Sequence, residues 1–220
     1  MVFFALLLAF CGPTAEAQIG RPPRLNVQFH RAETAWRSGS SLLEAKARID
    51  RVLKELPDDI EARKLRAGIF LSMKRPADAL MDALSAAELD STDGEAHLLV
   101  CEAGVRAHQN STALPALYVA ADHHLERRDY HVRLSRCAVA LDRLDEAEAY
   151  ARIAFAGDEK DPMAIAQLAR VFVLSDQDES AVTILEKGLR LRLIDPKAVQ
   201  KDSVLRQIAA YPAISDWFRN

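Results

Sequence analysis

Apolar side chains along this chain follow a helical spacing that is broken at short, regular intervals. The first such pattern consists of apolar residues three and four positions apart: Phe29, Ala32, Ala35 and Trp36. This spacing is typical of one face of an α-helix. A polar break at 38–40 ends it, and a second helical pattern runs from about Leu42 to Leu56, where Pro57 stops it. The same order of helix, break and helix then recurs. Connections this short predict antiparallel neighbouring helices.

The recurrence has a period of 34 residues. Its five units begin at Asn26, Ile60, Gly94, Arg128 and Pro162. When each start is counted as slot 1, slot 20 is alanine in every unit: Ala45, Ala79, Ala113, Ala147 and Ala181. Slots 8 and 27 also hold mainly small residues. Small side chains let two helices approach closely at the same point of each unit, so this register predicts a stacked array of helix pairs.

This register resembles the tetratricopeptide repeat, whose pattern has a bulky residue at slot 4, an aromatic at slot 11 and alanine at slot 20. In this chain slot 11 holds Trp36, Phe70, Gly104, Ala138 and Phe172. The resemblance covers residues 26–195 and implies an all-α fold, a right-handed superhelical array of antiparallel helix pairs with about five repeats. Gly104 and Ala138 replace the usual aromatic, which predicts thinner or locally irregular packing in units three and four. We expect residues 196–220 to form a C-terminal capping helix and tail, because the last unit otherwise leaves an apolar face uncovered.

The N-terminal residues are predicted to lie outside this array. Residues 2–11 are an apolar run too short to span a bilayer, and Ala15-Glu16-Ala17 suits signal peptidase. We therefore expect a signal peptide over 1–17, an exported chain that is periplasmic or secreted, and no membrane span in the mature chain. No Lys or Arg precedes the run, so a buried N-terminal helix is the alternative. A lipoprotein anchored through Cys11 is disfavoured, because Phe10 stands where a small residue is expected. The two prolines in residues 18–25 predict an extended leader.

Charge and motifs exclude several functional classes. The chain has 29 basic and 32 acidic residues, and the basic residues are not interleaved with aromatics, so we expect no nucleic-acid partner. No P-loop, dinucleotide-binding, zinc-protease or serine-hydrolase motif occurs. We therefore predict no enzymatic activity and no cofactor. The carboxylates fall mainly at surface and helix-start positions, and Asp145 and Asp178, near the start of the second helix of units four and five, are each expected to cap a helix.

The histidines and cysteines leave a weaker metal hypothesis. Five of the six histidines lie between His97 and His131, and His97 stands four residues before Cys101, a workable pair of zinc ligands. However, His97 and His131 occupy slot 4, a packing slot in the repeat. A metal site in this region is therefore only an alternative. Cys101 and Cys137 are predicted to be buried thiols. Their different slots, 8 and 10, argue against a disulfide.

The resemblance also implies a concave groove lined by the first helix of each unit, with slots 2, 5, 9, 12 and 13 facing it. Slot 12 provides an apolar line: Leu71, Val105, Val139 and Val173. The charged candidates beside this line are Glu102, Arg106, Arg133, Arg136 and Arg170. Acidic residues at slot 2, such as Glu95, could neutralise some of the arginines. We expect a partner segment to place apolar side chains on the line and acidic groups near the arginines.

The predicted function is that of a non-enzymatic, exported scaffold that binds a protein or peptide, in an assembly of a bacterial-type envelope. The bacterial assignment rests on the resemblance and the signal sequence. The alternative is a structural subunit without a groove ligand, which docks through its terminal faces. The apolar C-terminal residues Trp217 and Phe218 are the candidate contacts for that alternative.

Overall fold

The structure, a computed structural model, describes residues 20–123 and 129–218, and this part of the chain is helical without β-strands. Its first ten helices form five antiparallel pairs: α1 (Pro23–Arg37) with α2 (Leu42–Glu55), α3 (Ile60–Ser72) with α4 (Pro76–Leu89), α5 (Gly94–Arg106) with α6 (Asn110–Asp122), α7 (Tyr130–Ala140) with α8 (Leu144–Gly157), and α9 (Pro162–Leu174) with α10 (Asp178–Arg190). The predicted signal segment 1–17 lies outside the described residues.

The pairs stack so that the first helices form an inner layer. Each of α1, α3, α5 and α7 contacts the first helix of the next unit, and each second helix contacts the first helix of the unit that follows. The array is thus a superhelix with the first helices on its concave side, as the repeat register predicts. The concave face is therefore built from one helix per unit, in strict sequence order.

Small residues allow the two helices of each pair to pack closely. All five slot-20 alanines are inaccessible to solvent. In unit three the helices approach especially closely, because a Cβ atom at Gly104 would lie 3.1 Å from the Cβ of Ala113. The expectation of thinner packing at Gly104 is therefore wrong. The missing aromatic at this slot is replaced by closer contact between α5 and α6.

Aspartates at slot 34 begin four of the helices. Each accepts a hydrogen bond from a backbone N–H of the first turn that would otherwise lack an acceptor: Asp59, Asp93, Asp161 and Asp195. In contrast, Asp145 and Asp178 lie within the first turns of α8 and α10 and do not cap them, so that expectation is wrong. Their charges still favour the positive end of the helix dipole.

The array begins earlier than the sequence pattern suggests. Helix α1 starts at Pro23, so the extended leader predicted for residues 18–25 is wrong from that residue onward. Proline is tolerated at the first helical position, where its missing N–H would have no partner. Leu25 is consequently buried on the first helix, and Arg21 forms an ion pair with Asp59, the N-cap residue of α3.

The C-terminal residues cover the last helix pair with short helical segments. They comprise α11 (Pro196–Lys201), a 3₁₀ helix (Leu205–Ile208), α12 (Pro212–Ser215) and a final 3₁₀ turn (Asp216–Phe218). Helix α11 opens with Asp195-Pro196, 34 residues after Asp161-Pro162, and thus starts like a sixth unit before the chain turns away. Leu205, Ile208 and Ile214 are buried.

Candidate protein-binding groove

The concave face contains a cavity of about 750 Å³ between the first helices of units one to four. Four of the residues predicted for the groove line it: Leu71, Glu102, Arg106 and Arg133. The cavity is large enough for several side chains of an extended or helical segment. Val105 and the predicted residues beyond Arg133 are not among its lining residues, so the cavity occupies the N-terminal part of the concave face.

An aromatic wall closes the N-terminal side of this cavity. Phe29 and Trp36 of α1 both line it, and the Trp36 ring packs over Gly68 of α3. The Trp36 Nε1 donates a hydrogen bond to the Ser72 Oγ, with 2.9 Å between the two atoms. The predicted groove residues do not include this wall. The signal was present in the pairing of an aromatic at slot 11 with a glycine at slot 9 of the next unit.

Most charges of the cavity are already paired within the protein. The Lys64 Nζ lies 2.6 Å from carboxylate oxygens of both Glu61 and Asp93. The Arg37 guanidinium lies 2.9 Å from the Glu33 carboxylate. Such pairs hold the charged side chains in fixed positions, and their net attraction for a charged ligand is reduced.

Arg133 is the most firmly held of the predicted arginines. Its Nε and Nη2 each donate to the Glu102 carboxylate at 2.8 Å, and its Nη1 donates to Glu95 at 2.6 Å. The Arg133 side chain is only 14% exposed. Burial disfavours the charged guanidinium, but the bonds to Glu102 and the charge of Glu95 outweigh it and hold the pKa of Arg133 above its ordinary value. Glu95 therefore neutralises a groove arginine, and Arg133 acts inside the scaffold.

Arg170 is likewise engaged. Its guanidinium forms an ion pair with Asp202 of the C-terminal segment and donates to the Gln167 Oε1 at 2.7 Å. Burial opposes ionisation of Asp202, but the hydrogen bond and charge of Arg170 and the backbone hydrogen bonds from Leu205 and Val204 together outweigh it and lower the pKa of that carboxyl. The C-terminal segment thus supplies the acidic group that the sequence pattern predicts for a partner.

Arg106 and Arg136 differ from these two. Both are exposed, and neither makes an ion pair with any residue in 20–123 or 129–218. Partial desolvation on the concave face and the charge of Arg170 lower the pKa of Arg136, with Arg106 and Arg133 adding to the effect. The arginines of α5, α7 and α9 thus produce a local positive field that the scaffold balances only in part.

The apolar line is only partly open. Leu71, Val105 and Val139 are half-buried and rest against the core. Val173 is 7% exposed and belongs to the core itself. The line expected over four units is therefore accessible over three, and its last member serves the packing of the C-terminal unit.

The metal hypothesis gains no geometric support. No group of three potential metal ligands is found in the part of the chain that the structure describes. His97 contacts the Ser91 carbonyl oxygen through its Nε2 at 3.1 Å, and Cys101 is buried beside Cys137. Among the same residues no helix has the length and apolar character needed to cross a membrane.

The fold matches solved structures, although the sequence matches no protein-family model and no curated protein. PilW, described as a widely conserved type IV pilus biogenesis factor, shares 19% identity over 89% of this chain and 91% of its own, with a TM-score of 0.73. TTC0263, a thermophilic tetratricopeptide-repeat protein of Thermus thermophilus, shares 20% identity over 83% and 95%, with a TM-score of 0.64. YrrB, described as a tetratricopeptide-repeat protein with an unusual peptide-binding site, shares 18% identity over 83% and 89%, with a TM-score of 0.57. The fold is that of a tetratricopeptide-repeat array. At these sequence identities the similarity shows a shared fold and does not show a shared function.

Proposed function

We propose that this protein is a non-enzymatic scaffold that binds a segment of a partner protein along its concave face. The observation that carries the proposal is the cavity of about 750 Å³, which has an aromatic wall at one side and includes Leu71, the first residue of the half-buried apolar line, in its lining. A partner segment that buries apolar side chains there would remove both from water. Aromatic and aliphatic surfaces of this kind supply most of the affinity in peptide grooves.

The fold likeness supports an interaction function of this class. YrrB is described as having a peptide-binding site, and PilW as a pilus biogenesis factor. Together with the predicted signal sequence, these descriptions favour a role in an assembly of the bacterial cell envelope. The partner is thus proposed to be another exported protein.

Export is a separate part of the proposal and has its own test. Cleavage after Ala17 would leave Gln18 as the new N-terminus. N-terminal sequencing of the protein recovered from an extracytoplasmic fraction should begin at Gln18. Recovery of the chain with Met1 intact would contradict the signal peptide, and a lipid on Cys11 would establish the lipoprotein alternative.

Groove binding can be tested with paired charge insertions. The partner is first captured with the wild-type protein, identified by mass spectrometry and purified. Its affinity is then measured for Val105→Asp/Val139→Asp, which places two carboxylates on the apolar line. We expect binding to be lost, because each carboxylate would be desolvated against the apolar side chains of the partner segment and would repel its acidic groups.

The matched control adds the same two charges to the outer helices. Met81 and Ile153 lie on α4 and α8 and are 63% and 46% exposed. Met81→Asp/Ile153→Asp should bind the partner like wild type, and circular dichroism should show the same helix content for both variants. Wild-type affinity of the groove variant would contradict the proposal. If substitution of the exposed Trp217 then abolished binding, docking through the terminal face would replace it.

A further inference from the structure

Charged residues on the concave face are paired from one unit to the next in a regular manner. Glu102 stands at slot 9 of unit three and binds Arg133, which follows 31 residues later at slot 6 of unit four. Arg170 stands at slot 9 of unit five and binds Asp202, which follows 32 residues later. In both cases a charge at slot 9 meets its opposite on the segment that stacks next to it.

Arg136 occupies slot 9 of unit four, between these two pairs, and lacks such a counterpart. The corresponding residues of unit five are Gln167 and Leu168, which are both buried. Gln167 is fully engaged, because its Nε2 donates to the Ser135 Oγ at 3.0 Å and its Oε1 accepts from Arg170. The scaffold therefore places a neutral amide where the neighbouring units place a charge.

No carboxylate of the described residues forms an ion pair with Arg136. Glu102 acts on it electrostatically but is already held by two hydrogen bonds from Arg133. The charges of Arg106, Arg133 and Arg170 all repel it. An exposed arginine among three others is a favourable place for an added anion, since one carboxylate would relieve several repulsions at once.

We propose that Arg136 binds the side-chain carboxylate of an aspartate or glutamate in the partner segment, in the manner in which Arg170 binds Asp202. This inference rests on the proposed groove function and specifies its ligand. The Arg170–Asp202 pair supplies the argument for a carboxylate, because there an aspartate on the next segment meets a slot-9 arginine of the same concave face. The acidic residue would be flanked by apolar ones, because the neighbouring positions of the line are Val105 and Val139.

The test uses three fluorescein-labelled peptides in which leucine alternates with glutamate, glutamine or lysine. Both peptide termini are blocked, so that the side chains provide the only carboxylates. Fluorescence anisotropy at low salt should show that the wild-type protein binds the glutamate peptide at least about tenfold more tightly than the glutamine peptide. The preference should weaken as salt is added, because the pair is exposed.

Substitutions at Arg136 should change this preference and leave the fold intact. Arg136→Gln should bind the glutamate and glutamine peptides equally, Arg136→Lys should keep part of the preference, and Arg136→Glu should prefer the lysine peptide. Arg51→Gln is the matched control, since Arg51 is an exposed arginine on the outer helix α2. This variant should retain the wild-type preference.

The outcomes separate this inference from the function on which it rests. If the peptides bind and Val105→Asp abolishes binding, but Arg136→Gln leaves the glutamate preference unchanged, the role of Arg136 is wrong and the groove stands. If none of the peptides binds, or if Val105→Asp leaves their affinity unchanged, the groove is not the site and both proposals fall.

Discussion

The indole ring of Trp36 occupies the space that a side chain at Gly68 would need. A Cβ atom at Gly68 would lie 2.8 Å from the Trp36 Cζ2 and 2.9 Å from its Cη2, closer than carbon atoms pack. Gly68 stands at the groove-facing slot 9 of unit two, and Trp36 at slot 11 of unit one. The glycine thus allows an aromatic of one unit to rest on the first helix of the next, and the aromatic wall of the cavity depends on it.

We expect Gly68→Ala to displace this ring. The added methyl group must push the indole away from α3 and break the hydrogen bond from the Trp36 Nε1 to the Ser72 Oγ. In a Trp217→Phe background, where Trp36 is the remaining tryptophan, the fluorescence emission should shift to longer wavelength as the ring becomes hydrated. An emission spectrum identical to that of the parent would contradict the close contact.

Gly157→Ala provides the control for helix propensity. Gly157 ends α8, and a Cβ atom there would meet no atom within 4 Å. Alanine is favoured over glycine within a helix by up to about 1 kcal/mol. Gly157→Ala should therefore be neutral or stabilising in urea unfolding. Gly68→Ala should be less stable than this control by about 1–3 kcal/mol, the usual cost of an overpacked site.

A second prediction concerns the contact between the helices of unit four. Ala147 is inaccessible to solvent, and its carbonyl oxygen accepts a hydrogen bond from the Ser135 Oγ at 2.8 Å. Ala147→Leu should lower the free energy of unfolding by about 1–3 kcal/mol, because the added methyl groups must force α7 and α8 apart. Ala149→Leu, at an exposed position two residues later on the same helix, should stay within about 0.5 kcal/mol of wild type. Equal melting curves for the two variants would show that the slot assignment is wrong.

A third prediction concerns the buried ion pairs of Arg133. Arg133→Met leaves the carboxylates of Glu95 and Glu102 close together, largely buried and without their cation. Breaking a buried pair by removing one partner typically destabilises a protein by about 3–5 kcal/mol. Arg190→Met breaks a solvent-exposed pair with Glu186 instead and should cost less than about 1 kcal/mol. Urea unfolding at neutral pH distinguishes the two, and a similar small loss for both would contradict a structural role for Arg133.

A fourth prediction concerns the acid sensitivity of the C-terminal cap. The pKa of Asp202 is lowered in the folded protein, so its ion pair with Arg170 stabilises the fold above the ordinary aspartate pKa of about 3.9. This contribution is lost as the pH falls through that value and then through the lower folded pKa. Asp202→Asn should therefore be less stable than wild type at pH 7, and the difference should shrink on acidification.

An asparagine at position 202 can still accept the backbone hydrogen bonds that Asp202 accepts. The comparison of Asp202→Asn with wild type therefore measures the effect of the charge alone. The Asp202 Oδ1 accepts hydrogen bonds from the Val204 and Leu205 amides, and an asparagine oxygen can accept the same bonds. Asp58→Asn, at an exposed aspartate, serves as the control. A difference between wild type and Asp202→Asn that stays constant from pH 7 down to about pH 2.5 would contradict the ion pair.

The sequence could predict the array because a period of 34 residues constrains every unit in the same way. Ala147 is buried for the same reason as Ala45. The ion pairs of the groove could not be predicted from the repeat, because the residue at slot 9 does not show whether the next unit places an opposite charge beside it. Arg136 and Arg170 look alike in sequence and differ only because Asp202 lies beside the second. The early start of α1 does not follow from the pattern, because proline either breaks a helix or occupies its first position, and the sequence alone does not distinguish the two roles of Pro23.

The last prediction concerns the two thiols between units three and four. Cys101 and Cys137 are both buried and free, and they lie side by side despite their different slots. The hydrogen bond with Cys101 and burial raise the pKa of the Cys137 thiol well above its ordinary value. Since the thiolate is the reactive form, neither burial nor protonation favours reaction with a disulfide reagent at neutral pH.

In a Cys11→Ser background we therefore expect both thiols to react slowly with dithiobisnitrobenzoate in the native protein and rapidly in urea. Reaction in the native state then requires local opening of the array. The destabilised Ala147→Leu variant should react faster, because it weakens the packing of the helix that carries Cys137. Rapid native reaction of either thiol would contradict their burial. Absence of reactive thiol in urea without a reducing agent would instead show that neighbouring Cys101 and Cys137 form a disulfide in the isolated protein.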